Sequence, residues 1–509
     1  MSSNVHGRKR ENVSEEALRA RREKEAGKIK AYNDLVEQCR SQFEQEIYTP
    51  ETLSLTTRIL QHNPDYYTIW NKRRVILQRG ILESGESLSE EAIAKNRSIY
   101  VDDLQFFMQL IRINPKSYWL WNHRRWCLES MPNPDWMAEL GLVEKLLAMD
   151  ARNFHGWDYR RYVMEKLRQD AKDEEEVAKL TQGEFDFTTR KIKQSFSNYS
   201  AWHQRTRLLP ETVASMSPEE KNQVAKHELE LIEAAIYTDP DDQSAWLYYR
   251  WVVGRALLPV RVLGAYRCEG SRAIIVVMDS DIILADAPEL LDDNDNPVSG
   301  SWMSLGQSQR HGLVWIAMPN GDIDPSRISI HPDIIVPNTP LKSKPASAWQ
   351  GEIKSIPHAS EINALIARFE TTTTTTTTQW SKPSQRPYTM TNTSHISAWH
   401  TLDRVELLKD QVRVVRDLLD LEPDSKWVLQ TLAHFLDQLR LANGVEDPEK
   451  TCQEIVSIYE TLTTIDPYRM GRYQDAKQKV LLESHMDALS KSNGVEDLWR
   501  VIEHVQHMT

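Results

Sequence analysis

The chain has 509 residues, enough for one large domain or two to three ordinary ones, and enough to bury a core without disulfides or metals. Its 62 Lys and Arg stand against 74 Asp and Glu, and a net charge of -12 argues against general nucleic-acid or anionic-membrane binding. Four scattered cysteines, Cys39, Cys127, Cys268 and Cys452, form no CxxC motif, which argues against a zinc knuckle on this chain and points to a reducing compartment.

The N-terminal stretch MSSNVHGRKRENVSEEALRARREKE is charged and lacks the apolar core of a secretory signal. No apolar run reaches membrane-spanning length. These features predict a soluble, cytoplasmic protein. Trp is abundant (16) while Phe is scarce (9), which suggests that Trp recurs at one structural position and directs attention to repeats.

Five segments align without gaps: NPDYYTIWNKRRVIL (63–77), NPKSYWLWNHRRWCL (114–128), DARNFHGWDYRRYVM (150–164), SFSNYSAWHQRTRLL (195–209) and DPDDQSAWLYYRWVV (239–253). They share the pattern P-x-x-Y-x-x-W-x-x-R-R. The first copy supplies Tyr67, Trp70, Asn71, Arg73 and Arg74, and the second Tyr118, Trp121, Asn122, Arg124 and Arg125. The third supplies Phe154, His155, Trp157, Asp158, Arg160 and Arg161. The fourth keeps Tyr199, Trp202 and Arg205; the fifth keeps Trp246 and Arg250, with Gln243 at the Tyr position.

Pro64, Pro115 and Pro240 suit the first turn of a helix, with Asn63, Asn114 and Asp239 as N-caps. Tyr and Trp, three residues apart, fall on one helical face and predict an aromatic stripe for packing between hairpins. The Arg residues that follow predict ion pairs or contacts to helix C-termini. A second amphipathic segment precedes most copies, as in 98–114, 142–150 and 228–239, so each unit reads as helix, turn, helix. Stacked hairpins of this kind build a solenoid or a curved layer.

Residues 1–254 thus hold hairpins 1–5. Residues 255–360 break the pattern: RAIIVVMDSDIILADA (272–287) and HGLVWIAMP (311–319) read as strands of a small β-rich insert. A Ser/Thr/Pro-rich stretch with eight consecutive threonines, Thr371 to Thr378, predicts a disordered linker over 361–394. The helical pattern resumes over 395–509, where 418–436 and 459–481 read as hairpins 6 and 7 without the Trp. No P-loop, GxGxxG or Ser/His/Asp arrangement emerges. DDNDNP (292–297) lacks the spaced Glu and helical flanks of a calcium loop.

The repeated P-x-x-Y-x-x-W-x-x-R-R pattern resembles the α-subunit repeat of protein prenyltransferases over about 55–253 and 395–481. Three stretches resemble the Rab geranylgeranyltransferase α-subunits more than the α-subunit shared by farnesyltransferase and geranylgeranyltransferase type I. They are RNFHGWDYRR (152–161), with Arg152 where the shared subunit has Lys, the C-terminal segments LEPDSKWVLQTL and TTIDPYRMGRYQDAKQKVLLE, and HGRKR (6–10). The chain departs from that pattern in the MSSNV that precedes His6 and in the lack of a leucine-rich pattern after 481. The insert lies where some family members carry an immunoglobulin-like domain.

The resemblance implies a mainly α fold, a right-handed α-α superhelix of about seven helical hairpins. It implies a heterodimer in which a catalytic β-subunit holds zinc and the lipid pocket. That enzyme would transfer geranylgeranyl from geranylgeranyl diphosphate to C-terminal cysteines of Rab GTPases presented by an escort protein. Arg152 would then contact the leaving diphosphate, as the matching Lys does in the related subunit. His155 in the same turn reads as an interface or packing residue. His6, beside Arg8, Lys9 and Arg10, would be a regulatory ligand of the partner's zinc; a tail without that role is the competing reading. Two alternatives carry different functions. One is the shared farnesyltransferase-type α-subunit. The other is a non-catalytic scaffold of the tetratricopeptide kind, whose period near 34 residues fits poorly with Trp spacings of 36 to 51.

Overall fold

The computed structural model describes residues 15–85, 88–254, 258–305, 311–337, 342–343, 347–372, 399–492 and 494–508. The chain divides into two compact units, Met1–Phe187 and Thr188–Thr509. No helix among the described residues is long and apolar enough to cross a membrane.

The first unit begins with α1 (Glu15–Glu44), a long exposed helix with i,i+4 ion pairs such as Arg21–Glu25 and Arg40–Glu44. Paired helices follow: α2 (Pro50–His62) with α3 (Tyr67–Ile76), α4 (Glu90–Ile111) with α5 (Tyr118–Ser130), and α6 (Trp136–Met149) with α7 (Phe154–Gln169). The boundary between the units falls inside α8 (Glu174–Gln194). The first helix of a pair starts on a side-chain cap: Thr49 for α2, Ser89 for α4 and Asp135 for α6. Helix α3 ends in a π-helical turn, Leu77–Ile81, whose Gly80 lies so close to the Tyr48 carbonyl that a Cβ would overlap it.

The turns correct the expected helix starts. Pro64, Pro115 and Pro240 lie in the turns, and the second helix begins at the aromatic residue three positions later (Gln243 in the fifth copy). Asn63 and Asp239 bend the chain by accepting from the N–H two residues on, at 3.2 Å in both cases. The side-chain caps of the later copies are Asn153, Asn198 and Asp242. The short polar side chain of Asn or Asp can serve either role, so the sequence pattern alone does not separate them.

The second unit holds α9 (Tyr199–Thr212), α10 (Pro218–Thr238) and α11 (Gln243–Val253), then the insert. After it come α12 (Ser360–Thr372), α13 (Arg404–Leu421), α14 (Lys426–Leu441), α15 (Pro448–Ile465), α16 (Met470–Ser492) and α17 (Val495–Met508). Helix α11 packs directly on α13 and α14: Tyr249 Oη donates to Gln411 Oε1 at 2.6 Å, and its ring meets Phe435 at 5.0 Å. Trp251 stacks on Trp399 where the chain re-enters the helical part. Among the described residues, helices therefore pair as α2/α3, α4/α5, α6/α7, α8/α9, α10/α11, α13/α14 and α15/α16, which gives the expected seven hairpins.

The insert contributes β1 (Leu258–Pro259), β2 (Val262–Cys268), β3 (Ile274–Leu284), β4 (Glu289–Leu291), β5 (Pro297–Val298) and β6 (Gly300–Ser304). It continues with β7 (Gly312–Pro319), β8 (Arg327–Ile330), β9 (Ile335–Pro337), β10 (Lys342–Ser343) and β11 (Trp349–Ile356). The main sheet runs β5-β4-β8-β11-β2-β3-β7-β6, with β9 also on β3. Strand β11 joins its halves: residues 349–352 pair antiparallel with β8, and 353–356 pair parallel with β2.

The first half of β3, Ile274–Met278, is a continuous apolar run because both of its faces are covered. Ile274, Val276 and Met278 face a core with Trp302, Trp315 and Ile328. Ile275 and Val277 face the opposite core, closed by Ile362 and Ile366 of α12, Leu482 and Met486 of α16, and Val501 and Ile502 of α17. The linker expected from residue 361 is thus corrected in its first part: 361–372 continue α12, whose apolar side chains find the sheet as a partner. Residues 373–394 of that expected linker lie outside the described residues.

Candidate functional site

The repeat pattern divides into a buried half and an exposed half. Trp70, Trp121, Trp157, Trp202 and Trp246 are all buried. Each indole N–H donates to the carbonyl six residues earlier: Pro64 at 2.8 Å, Pro115 at 3.1 Å, Ala151 at 2.9 Å, Phe196 at 2.7 Å and Pro240 at 2.9 Å. Trp at this position therefore fills the core and closes the turn before its helix, which Phe could not do. The aromatic partner three residues earlier behaves differently. Tyr67, Tyr118, Phe154 and Tyr199 remain 54%, 65%, 53% and 48% exposed. The expected packing stripe is corrected at these positions: the residue opens its helix and projects past the core's edge.

The first Arg of each pair is buried and bound to a carboxylate on the next hairpin. Arg73 pairs with Asp103, and Arg124 holds Glu139 through two bonds of 2.6 Å. Arg160 meets Glu184 at 2.6 Å, and Arg205 holds Glu228 at 2.6 and 2.7 Å. A polar ring two residues after the next Trp completes several nodes: His123 on Asp103, Tyr159 on Glu139 and Tyr248 on Glu228. Burial raises the Asp103 carboxyl, but Arg73 and His123 outweigh it and hold the group below the usual range. Burial and the adjacent Glu228 push the Tyr248 hydroxyl well up, so it stays a donor.

The second Arg of each pair lies nearer the surface. Arg74 Nη2 donates to Asn122 at 2.6 Å, Arg125 lies over the Tyr162 ring and pairs with Glu129, and Arg161 pairs with Asp158. Asn71 is exposed. Arg250 donates to Thr431 at 3.1 Å, while Tyr249 occupies the place that Arg205 holds in the previous copy.

The exposed half forms an edge in the first unit. Tyr67 meets Trp119 at 5.3 Å, and Tyr118 meets Phe154 at 5.8 Å and His155 at 4.2 Å. Behind it lies a groove of about 400 Å³ lined by residues that include Tyr118, Asn122, Arg125, Phe154, His155 and Asp158. Arg152 is exposed in the turn before α7, its backbone N–H on Asp150 Oδ1 at 3.3 Å. His6 lies outside the described residues.

The protein prenyltransferase alpha subunit repeat matches residues 50–80, 100–131, 136–167, 181–212 and 225–256. The geranylgeranyl transferase type-2 subunit alpha of Sus scrofa is 30% identical over 488 residues, covering 94% of this chain and 76% of that protein. This chain belongs to the geranylgeranyl transferase type-2 α-subunit family. Members from Candida albicans and Saccharomyces cerevisiae are 37% and 36% identical, each over 49% of this chain and 72% of their own. The Sus scrofa alignment leaves out so little of the chain that it spans the β-rich insert.

Among the described residues of this type-2 α-subunit family member, one group has the donor set of a metal site: Asp103, His123 and Cys127. The group does not fit a metal. Arg73 and His123 already occupy the Asp103 carboxylate. The His123 Nε2 that faces Cys127 at 3.5 Å carries the hydrogen given to Asp103. Burial, then Asp103, push the Cys127 thiol up, away from the thiolate a metal requires. The nodes' carboxylates were not singled out from the sequence, yet a signal was present. Each precedes the Trp of its own hairpin by 18 residues: Asp103 and Trp121, Glu139 and Trp157, Glu184 and Trp202, Glu228 and Trp246.

Proposed function

We propose that this chain is the α-subunit of a Rab geranylgeranyltransferase. It assembles with a β-subunit that holds the catalytic zinc and the lipid pocket. The enzyme joins a C-terminal cysteine sulfur of a Rab GTPase, presented by an escort protein, to C1 of geranylgeranyl diphosphate. The thiol gives up its proton to solvent, the S–C bond forms as the C1–O bond breaks, and the diphosphate leaves with the bonding pair. The observation that carries this reading is the family membership, resting on identity across 94% of the chain.

The geometry supports a division of labour. The buried nodes keep consecutive hairpins in register, and the exposed aromatic edge offers a seat for a partner. Negative charge grows on the leaving oxygen in the transition state, and a cation fixed there lowers the barrier. Arg152 lies at the exposed turn between α6 and α7, beside that edge, and takes this role. Its guanidinium can bind two diphosphate oxygens at once.

The test is co-expression with a type-2 β-subunit, followed by prenylation of a Rab with escort protein and of a CaaX peptide. Escort-dependent modification of the Rab alone is expected. Turnover of the CaaX peptide instead would favour the shared farnesyltransferase-type subunit, and failure to form a heterodimer would favour the scaffold reading.

A further inference from the structure

We propose that Asn153 and His155 are positioning residues for Arg152, two side chains that pin the turn carrying it to the turn of the preceding hairpin. The inference rests on the leaving-group reading of Arg152.

Asn153 Nδ2 donates to the Pro115 carbonyl at 3.0 Å. His155 Nε2 lies 3.0 Å from the Lys116 carbonyl, which can only accept, so Nε2 carries the hydrogen. The two contacts grip adjacent carbonyls. The amide oxygen of Asn153 acts locally: Oδ1 accepts from the N–H groups of His155 and Gly156 and starts α7. On the other side of Arg152, the Ala151 carbonyl is held by Trp157 and the Arg152 N–H by Asp150. The backbone is thus tied on both sides of Arg152.

His155 itself is poorly suited to proton transfer. Its ring stands edge-on against Tyr118 and its one hydrogen is committed to a carbonyl. Burial lowers its pKa, which favours the neutral ring. The turns of the fifth and sixth hairpins carry a weaker stitch of the same kind. Ser244 Oγ reaches the Ser197 carbonyl at 3.3 Å, and Ser425 Oγ reaches the Pro240 carbonyl at 3.3 Å. Those are single rotatable hydroxyls. At the turn bearing Arg152, two planar groups make two shorter bonds. A cation that stabilises developing charge is worth most when its place is set before the reaction, since no reorganisation is then needed.

The experiment uses the heterodimer with Rab, escort protein and geranylgeranyl diphosphate. Asn153→Ser keeps an oxygen for the helix cap and removes the amide donor. His155→Ala removes the second tie, and His155→Gln restores an amide N–H near the place of Nε2. Asn153→Ser and His155→Ala are each expected to lower kcat about tenfold or more, with smaller changes in KM and with the heterodimer still formed. His155→Gln should recover most of the rate. In an Arg152→Ala background the same two changes should add nothing further. If they slow the Arg152→Ala enzyme by the same factor, or leave kcat intact while Arg152→Ala lowers it, the positioning role is overturned. An unchanged rate for Arg152→Ala alone would instead remove the leaving-group reading, and this proposal with it.

Discussion

Arg73, Arg124, Arg160 and Arg205 are each buried against a carboxylate, an arrangement that is sensitive to losing either partner. The fifth copy varies it in a matched way. Tyr249 stands at the Arg position, and Gln411 stands where the next hairpin would carry its acid, so both charges are gone together. Tyr249→Arg should therefore bury an uncompensated cation and cost about 3–5 kcal/mol in urea unfolding. Adding Gln411→Glu should recover much of that loss; no recovery would mean that the site is not equivalent to the other four. Glu483 gives a pH test. Burial, then the Asp437 carboxylate, push it up to about 7, against the pull of Lys479 and Arg440. The folded state holds this proton longer than the unfolded chain, so the group's contribution is full below its unfolded pKa and is lost as pH rises through about 7. The stability of the wild type relative to Glu483→Gln should fall between about pH 5 and about pH 8. A difference that stays flat or rises would contradict the shift.

Among the elements, α17 shows how a surface helix can serve a distant segment. Leu498, Val501, Ile502 and Val505 enter the core that covers one face of the β-rich insert. Ile502 is fully buried there, so Ile502→Ala should cost about 2–5 kcal/mol. Amide exchange should quicken in β3 and β7, which share that core, if the helix and the sheet open together. Exchange confined to α17 would show instead that the sheet stands without it. The same packing explains α12. Its apolar residues Ile362, Leu365 and Ile366 sit in a segment that composition assigns to a linker, and they are ordered by the sheet that lies beside them.

Across the molecule, the repeat puts its Trp residues inside and leaves Tyr67, Tyr118, Phe154 and Tyr199 outside. Large exposed rings are costly to leave in water and suit a partner's surface, and in the first unit Tyr67, Tyr118 and Phe154 make a row of them. Tyr118→Ser with Phe154→Ser should weaken association with the β-subunit by tenfold or more while leaving the Tm of the free chain within about 2 °C. A drop in Tm without weaker association would make the row a packing feature only. The sequence by itself determined the hairpins and their Trp anchors, because helix periodicity and a fixed Trp are local and repeat in register; it placed the turns between the helices but not the residue at which each second helix starts. It also placed the β-rich insert and set Arg152 apart, the latter through resemblance. The tertiary structure decided which repeated aromatics are buried, which carboxylate each Arg meets and where α12 and α17 pack. Those choices depend on which surfaces from distant parts of the chain come together, and burial, not local propensity, sets their energy.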